Sequence, residues 1–63
     1  MIATLATGVA VNPAHVEDVI VDADSNRVRV TMLGGQTHTI PCEYGKSIWK
    51  THDNVVSKLN GEL

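Results

Sequence analysis

The sequence predicts an α+β fold: an antiparallel sheet of four or five strands followed by one C-terminal helix. Three observations lead there. Apolar residues alternate with period two through the middle of the chain, turn-forming residues interrupt that alternation at short intervals, and from Ile48 the spacing becomes helical. With 63 residues there is room for one small domain, residues 1–63, and no repeat, linker or low-complexity tract divides it.

The elements follow in order. Met1 to Ala6 is apolar and uncharged, Thr7-Gly8 offers a turn, and Val9-Ala10-Val11 resumes a β-branched run, so a short hairpin is predicted. Asn12 is a good N-cap and Pro13 fits the first helical position, which makes Asn12-Pro13-Ala14-His15-Val16 one helical turn. From Glu17 to Ala23 the residues alternate, with Val19, Val21 and Ala23 inward and Asp18, Ile20, Asp22 and Asp24 outward. Asp24-Ser25-Asn26 is turn chemistry, because short polar side chains bond their own backbone and tolerate left-handed conformations.

Arg27 to Met32 alternates again, with Val28, Val30 and Met32 inward. Register then selects the next turn. A two-residue loop would pair Val30 with Thr39 and place Ile40 on the wrong face. A three-residue loop of Leu33, Gly34 and Gly35 pairs Val28 with Ile40 and Val30 with His38, and puts Gly35 at a left-handed bulge. Pro41 ends that strand, since it has no N–H for a ladder. Ile48, His52, Val55, Val56 and Leu59 form one stripe of a helix, capped by Ser47 and closed by Asn60-Gly61. Trp49 lies at the stripe's edge, where it is expected to pack on the sheet or on a partner.

A chain of this size buries only about 60 % of its unfolded surface, so the core is thin. Cys42 is the only cysteine and has no internal disulfide partner. The composition, 43 % hydrophobic and 19 % charged, is that of a globular domain rather than a disordered one. No apolar run spans a bilayer and no signal-peptide pattern opens the chain; with a lone thiol, this leads to the expectation of a cytoplasmic protein. The net charge is −2, unevenly spread: residues 1–26 carry −4 and residues 27–63 carry +2. That balance argues against a general phosphate binder.

Motifs for chemistry are incomplete. Cys42 with His38 or His52 lacks a third orienting group for nucleophilic catalysis. Asp22-x-Asp24-x-Asn26 opens like a calcium loop, but Arg27 stands where Gly is required and Leu33 where the bidentate Glu belongs. His15, His38, His52 and Cys42 lack the paired close spacing of a zinc site. Gly34-Gly35 has no following Lys or helix to make a phosphate loop. No metal, cofactor or enzymatic activity is expected on these grounds.

The sequence resembles the flagellar FlbD-like family of small bacterial proteins. The resemblance rests on the apolar hairpin ending in Gly8, Asn12-Pro13-Ala14-His15-Val16, the Val28/Val30 strand, Leu33-Gly34-Gly35 and the amphipathic final helix. The order of strand, Asn-Pro turn and meander is also similar to LytTR-type DNA-binding domains. The chain departs from the family in its longer Tyr44-Gly45-Lys46 approach to the helix and its acidic third strand. What the resemblance implies is mainly the fold. In size the chain is similar to small phage-encoded proteins that redirect host enzymes.

The expected function is therefore that of a non-enzymatic regulator that binds and modulates a macromolecular partner, with inhibition the favoured form and the sign left open by the sequence. The expected site is the outward row Asp18, Ile20, Asp22 and Asp24, facing a basic protein surface such as that of a nucleic-acid-binding enzyme. The alternative is a LytTR-like regulator that binds nucleic acid through Arg27, Arg29, Lys46 and Lys50. A homodimer through the N-terminal strand or the uncovered sheet face is also expected, because one helix covers only one face.

Overall fold

Backbone turn chemistry sets the order of the elements. The structure is a computed structural model and describes residues 1–61; Glu62, counted in the charge balance above, lies outside the described residues. Strands β1 (Ala3–Ala6) and β2 (Val9–Val11) form a hairpin, and a 3₁₀ turn occupies Pro13–His15. Strands β3 (Val16–Asp22), β4 (Arg27–Met32) and β5 (Thr37–Pro41) then form a meander, and helix α1 (Ile48–Leu59) closes the fold.

The fold is α+β with antiparallel strands and one C-terminal helix, but the strands form two sheets. One has two strands, β1-β2, and the other three, β3-β4-β5, so the expected single sheet of four or five strands is corrected. The break lies at the Asn12-Pro13 turn. Asn12 Oδ1 accepts the Ala14 N–H at 3.0 Å, and the His15 N–H donates to the Asn12 carbonyl at 2.9 Å. Pro13 has no N–H to offer a neighbouring strand. The chain therefore turns a corner there instead of running on from β2 into a shared ladder. Donation from the Leu33 N–H to the His15 carbonyl (2.8 Å) ties the turn to the start of the β4–β5 loop.

Both hairpin and helix pack on the inner face of the three-stranded sheet. The core consists of Ala3, Leu5 and Val11 from the hairpin, Val28, Val30 and Ile40 from the sheet, and Ile48 and Val55 from the helix. Val28, Val30 and Val55 are almost wholly buried, and burial of an aliphatic side chain contributes roughly 1.5–3 kcal/mol. Thr51 is buried among them with its hydroxyl satisfied. Its Oγ1 accepts the Glu43 N–H at 3.1 Å and donates to the Ser47 carbonyl at 3.2 Å, which fastens the β5–α1 loop to the helix. Ser47 caps α1 by accepting the Lys50 N–H at 3.1 Å, and Gly61 at φ +76° follows Asn60 at the other end.

The β4–β5 hairpin has the register that its apolar pattern requires. Val28 pairs with Ile40 and Val30 with His38, across a loop of Leu33, Gly34 and Gly35. The Gly35 N–H donates to the Met32 carbonyl (2.9 Å), and the Met32 N–H donates to the Gln36 carbonyl (2.7 Å). Gly35 has φ +91°, whereas Gly34 does not adopt a positive φ. A Cβ at either position meets no heavy atom within 4 Å, so only backbone conformation separates them. Gly35→Ala should therefore cost roughly 1–2 kcal/mol, while Gly34→Ala changes stability by less than about 0.5 kcal/mol. Urea unfolding of the two variants distinguishes them, and equal midpoints would refute the bulge.

Candidate partner-binding face

Alternation along three paired strands sends one set of side chains outward. In an antiparallel ladder, opposite residues share a face. Val19 pairs with Val30 and Val21 with Val28, facing the core, so the residues between them face away. The outer face is built in rows: Asp18, Thr31 and Thr37; Ile20, Arg29 and Thr39; Asp22, Arg27 and Pro41. All except Thr31 and Asp22 are exposed.

This register brings together residues that the sequence had offered as rival sites. Arg27 and Arg29 stand beside Ile20 and Asp22, on the same face. Arg29 reaches diagonally and donates from Nη2 to Asp22 Oδ2 at 2.9 Å. Lys46 and Lys50 are elsewhere. Lys46 lies in the loop before α1 with Nζ 3.7 Å from Glu43 Oε2, and Lys50 lies in the first turn of α1. They do not join Arg27 and Arg29.

Asp24 is also displaced from its expected place. β3 ends at Asp22, so Asp24 lies in the turn Ala23–Asn26 and does not extend the strand's outward row. Ala23, expected inward, is exposed for the same reason. Asn26 takes φ +56° and its N–H reaches the Ala23 carbonyl at 3.3 Å, a conformation that Asn tolerates well. At the other end of β3 the register shifts between Val16 and Asp18, so Glu17 is an extra, exposed residue in a bulge. The β3–β4 hairpin thus holds Glu17, Asp18, Asp22 and Asp24 against Arg27 and Arg29. It accounts for the whole net charge of −2, because the three lysines and three remaining carboxylates balance elsewhere.

Asp22 is held ionised. Hydrogen bonds from Ser25 come first among the causes, followed by the Arg29 guanidinium, and together they keep its carboxyl below the ordinary value of 3.8. The four-residue turn Ala23–Asn26 sets Asp22 opposite Arg27, and the next outward residue on β4 is Arg29.

Trp49 is 63 % exposed and so does not pack on the sheet, the first of the two placements expected for it. Cys42 is half-buried, with Sγ donating to the Lys46 carbonyl at 3.1 Å and 3.8 Å from Thr51 Oγ1. Among the described residues, no group of three or more His, Cys, Asp or Glu is placed to hold a metal ion, and no helix is long and apolar enough to cross a membrane. Comparison with protein-family models, curated proteins and solved structures finds no match for this chain.

The Asp22 contacts make stability depend on pH with a definite sign. A carboxyl whose folded pKa is lowered stabilises the fold at neutral pH, and that contribution is lost as pH falls through the ordinary carboxylate value toward the folded one. Asp22→Asn should therefore be less stable than the parent at pH 7, and the two should converge below the ordinary value of 3.8. Urea midpoints measured across that range check this; a constant difference at all pH values would refute it.

Proposed function

We propose that the chain is a small non-enzymatic regulatory protein that binds and inhibits a macromolecular partner through the outer face of the three-stranded sheet. Ile20 carries this reading. It is an apolar side chain, 48 % exposed, midway along the edge strand β3 on a face that is otherwise polar except for Pro41, and it is flanked by Asp18, Asp22 and Arg29. An apolar side chain that loses its water on binding, with charged groups around it, is the kind of residue by which a few positions dominate a protein interface. The rim acts mainly on association rate and salt dependence.

The excess negative charge of the β3–β4 hairpin favours a partner with a basic surface, such as a nucleic-acid-binding enzyme. Nucleic acid itself is disfavoured at this face. Arg29 is engaged by Asp22, and Asp18 and Asp24 stand near both ends of β3, so the LytTR-like reading through Arg27 and Arg29 is the weaker one. A homodimer through the N-terminal strand or this face, and a cytoplasmic setting, belong to the same proposal.

The test is affinity capture from the source cell with nuclease present, followed by titration of the retained protein. Ile20→Thr keeps the β-branch and should weaken binding about tenfold, the scale of an interface anchor. Asp18→Asn with Asp24→Asn leaves the Asp22–Arg29 pair in place and should flatten the salt dependence. Parental binding by both variants would mean that this face is solvated surface and would end the proposal. Sedimentation at high micromolar concentration should show twice the chain mass; a monomer there refutes the dimer.

A further inference from the structure

We propose that Asn60–Gly61, at the end of α1, is a site of spontaneous covalent modification. There the Asn60 side chain loses ammonia and becomes a carboxylate, which loosens the helix end. The reaction needs an Asn side chain, a following backbone N–H that can swing onto it, and water. Four asparagines occur in the chain, and the structure separates them. Asn12 precedes Pro13, which has no N–H to react, and its Oδ1 already accepts the Ala14 N–H. Asn26 precedes Arg27, whose backbone is held in the β3–β4 ladder opposite Asp22. Asn54 lies inside α1, with Nδ2 donating to Glu43 Oε2 at 3.2 Å. The residue after it is the buried, β-branched Val55.

Asn60 meets every need. It is exposed at the C-cap with φ −84° and ψ −1°, and Gly61 follows it, exposed, at φ +76°. Gly61 has no Cβ to obstruct ring closure and more backbone freedom than any other residue. In the closed helix end its N–H donates to the Lys58 carbonyl at 3.1 Å. That is one bond in the last turn, and fraying helix ends open at almost no free-energy cost. Once it opens, rotation about Asn60 ψ carries the Gly61 nitrogen toward Asn60 Cγ.

The step balances without oxidant or reductant. Hydroxide takes the Gly61 amide proton, and the nitrogen's electron pair attacks Asn60 Cγ. The new N–Cγ bond closes a succinimide ring as the Cγ–Nδ2 bond breaks, and Nδ2 takes a proton from water and leaves as ammonia. Water then opens the ring at either carbonyl. Cleavage of N–Cγ gives an aspartyl residue. Cleavage between the Asn60 carbonyl carbon and the Gly61 nitrogen gives an isoaspartyl residue, linked onward through Cγ. Either product has exchanged ammonia for water and adds one negative charge to the parent's −2.

The new carboxylate lies at the negative end of the helix dipole, where anions are unfavourable. Lys58 is the basic residue of the last turn and the neighbouring cation in sequence. This end of α1 also seats the N-terminal strand. A Cβ on Gly61 would lie 3.3 Å from Met1 Cε, and Lys58 and Gly61 line one groove of about 410 Å³ with Met1, Ile2, Ala3 and Thr4. Loosening the cap therefore loosens the seat of β1. No residue of the sheet face takes part, so the modification is independent of partner binding there.

The test incubates the intact chain in mildly basic buffer at physiological temperature. Fragmentation of the intact chain in a mass spectrometer should place the mass gain of NH2 becoming OH at Asn60, with none at Asn12, Asn26 or Asn54. In heavy-oxygen water the label should enter at the same residue. The rate should lie within about tenfold of that of the same chain unfolded in guanidinium, because the cap opens almost freely. A larger deficit, or equal gains at Asn26 and Asn54, would overturn the site. Asn60→Gln should abolish the gain, since its longer side chain must close a larger, slower-forming ring; a gain that persists also overturns the site. Asn60→Asp, identical to the aspartyl product, should unfold at lower urea than the parent, with the gap narrowing in high salt. A midpoint equal to or above the parent's would overturn the loosening of the helix end.

Discussion

The corner at Asn12–His15 is the constraint on which the rest of the architecture depends. A continuous run from β2 into β3 would produce a flat meander with one helix to shield it. Asn12 capping the Ala14 N–H, with Pro13 unable to donate, instead turns the chain. Leu5 and Val11 can then meet Val28, Val30 and Ile40. The small hairpin becomes part of the inner layer and supplies three of the eight buried apolar residues found among the described residues. The outer face of the three-stranded sheet is left free because the covering material has gone to the other side.

That division of the two faces explains the character of the candidate site. Its inner neighbours, Val19, Val21, Val28 and Val30, fix where every outer side chain points. Acidic and basic residues that lie apart in sequence become neighbours across the β3–β4 ladder, and the Asp22–Arg29 pair makes the face mixed in sign. What remains negative is concentrated near the two ends of β3, with Ile20 between them.

Much of this was legible in the sequence where a short-range rule decides. The caps Asn12 and Ser47, the Gly35 bulge and the Val28–Ile40 register each follow from local chemistry plus the need to bury one face. The split into two sheets was not, because an Asn-Pro turn can either continue or redirect a meander, and only packing of Leu5 and Val11 decides. Asp24 was misplaced because alternation carries no mark of where a strand stops. The choice between the two placements of Trp49 stayed open for a related reason: a ring at the edge of a helical stripe goes inward only if there is room. The mixed charge of the face was not legible, because it depends on the β3–β4 register, in which a four-residue turn sets Asp22 opposite Arg27.

The bulge at Glu17 has a consequence for how the molecule behaves in a crowd of its own copies. Open strand edges invite addition of further strands, and proteins blunt them with bulges, charges and proline. β3, at one edge of the larger sheet, carries the Glu17 bulge and three acidic residues, and β5, at the other, ends in Pro41. Both edges of that sheet are thereby poor templates for fibrillar growth. β1 has no charged residue, and the exposed side chains of Met1 and Ile2 lead into it. Runaway strand addition, if the chain is ever forced into it, would begin at the small sheet rather than the large one.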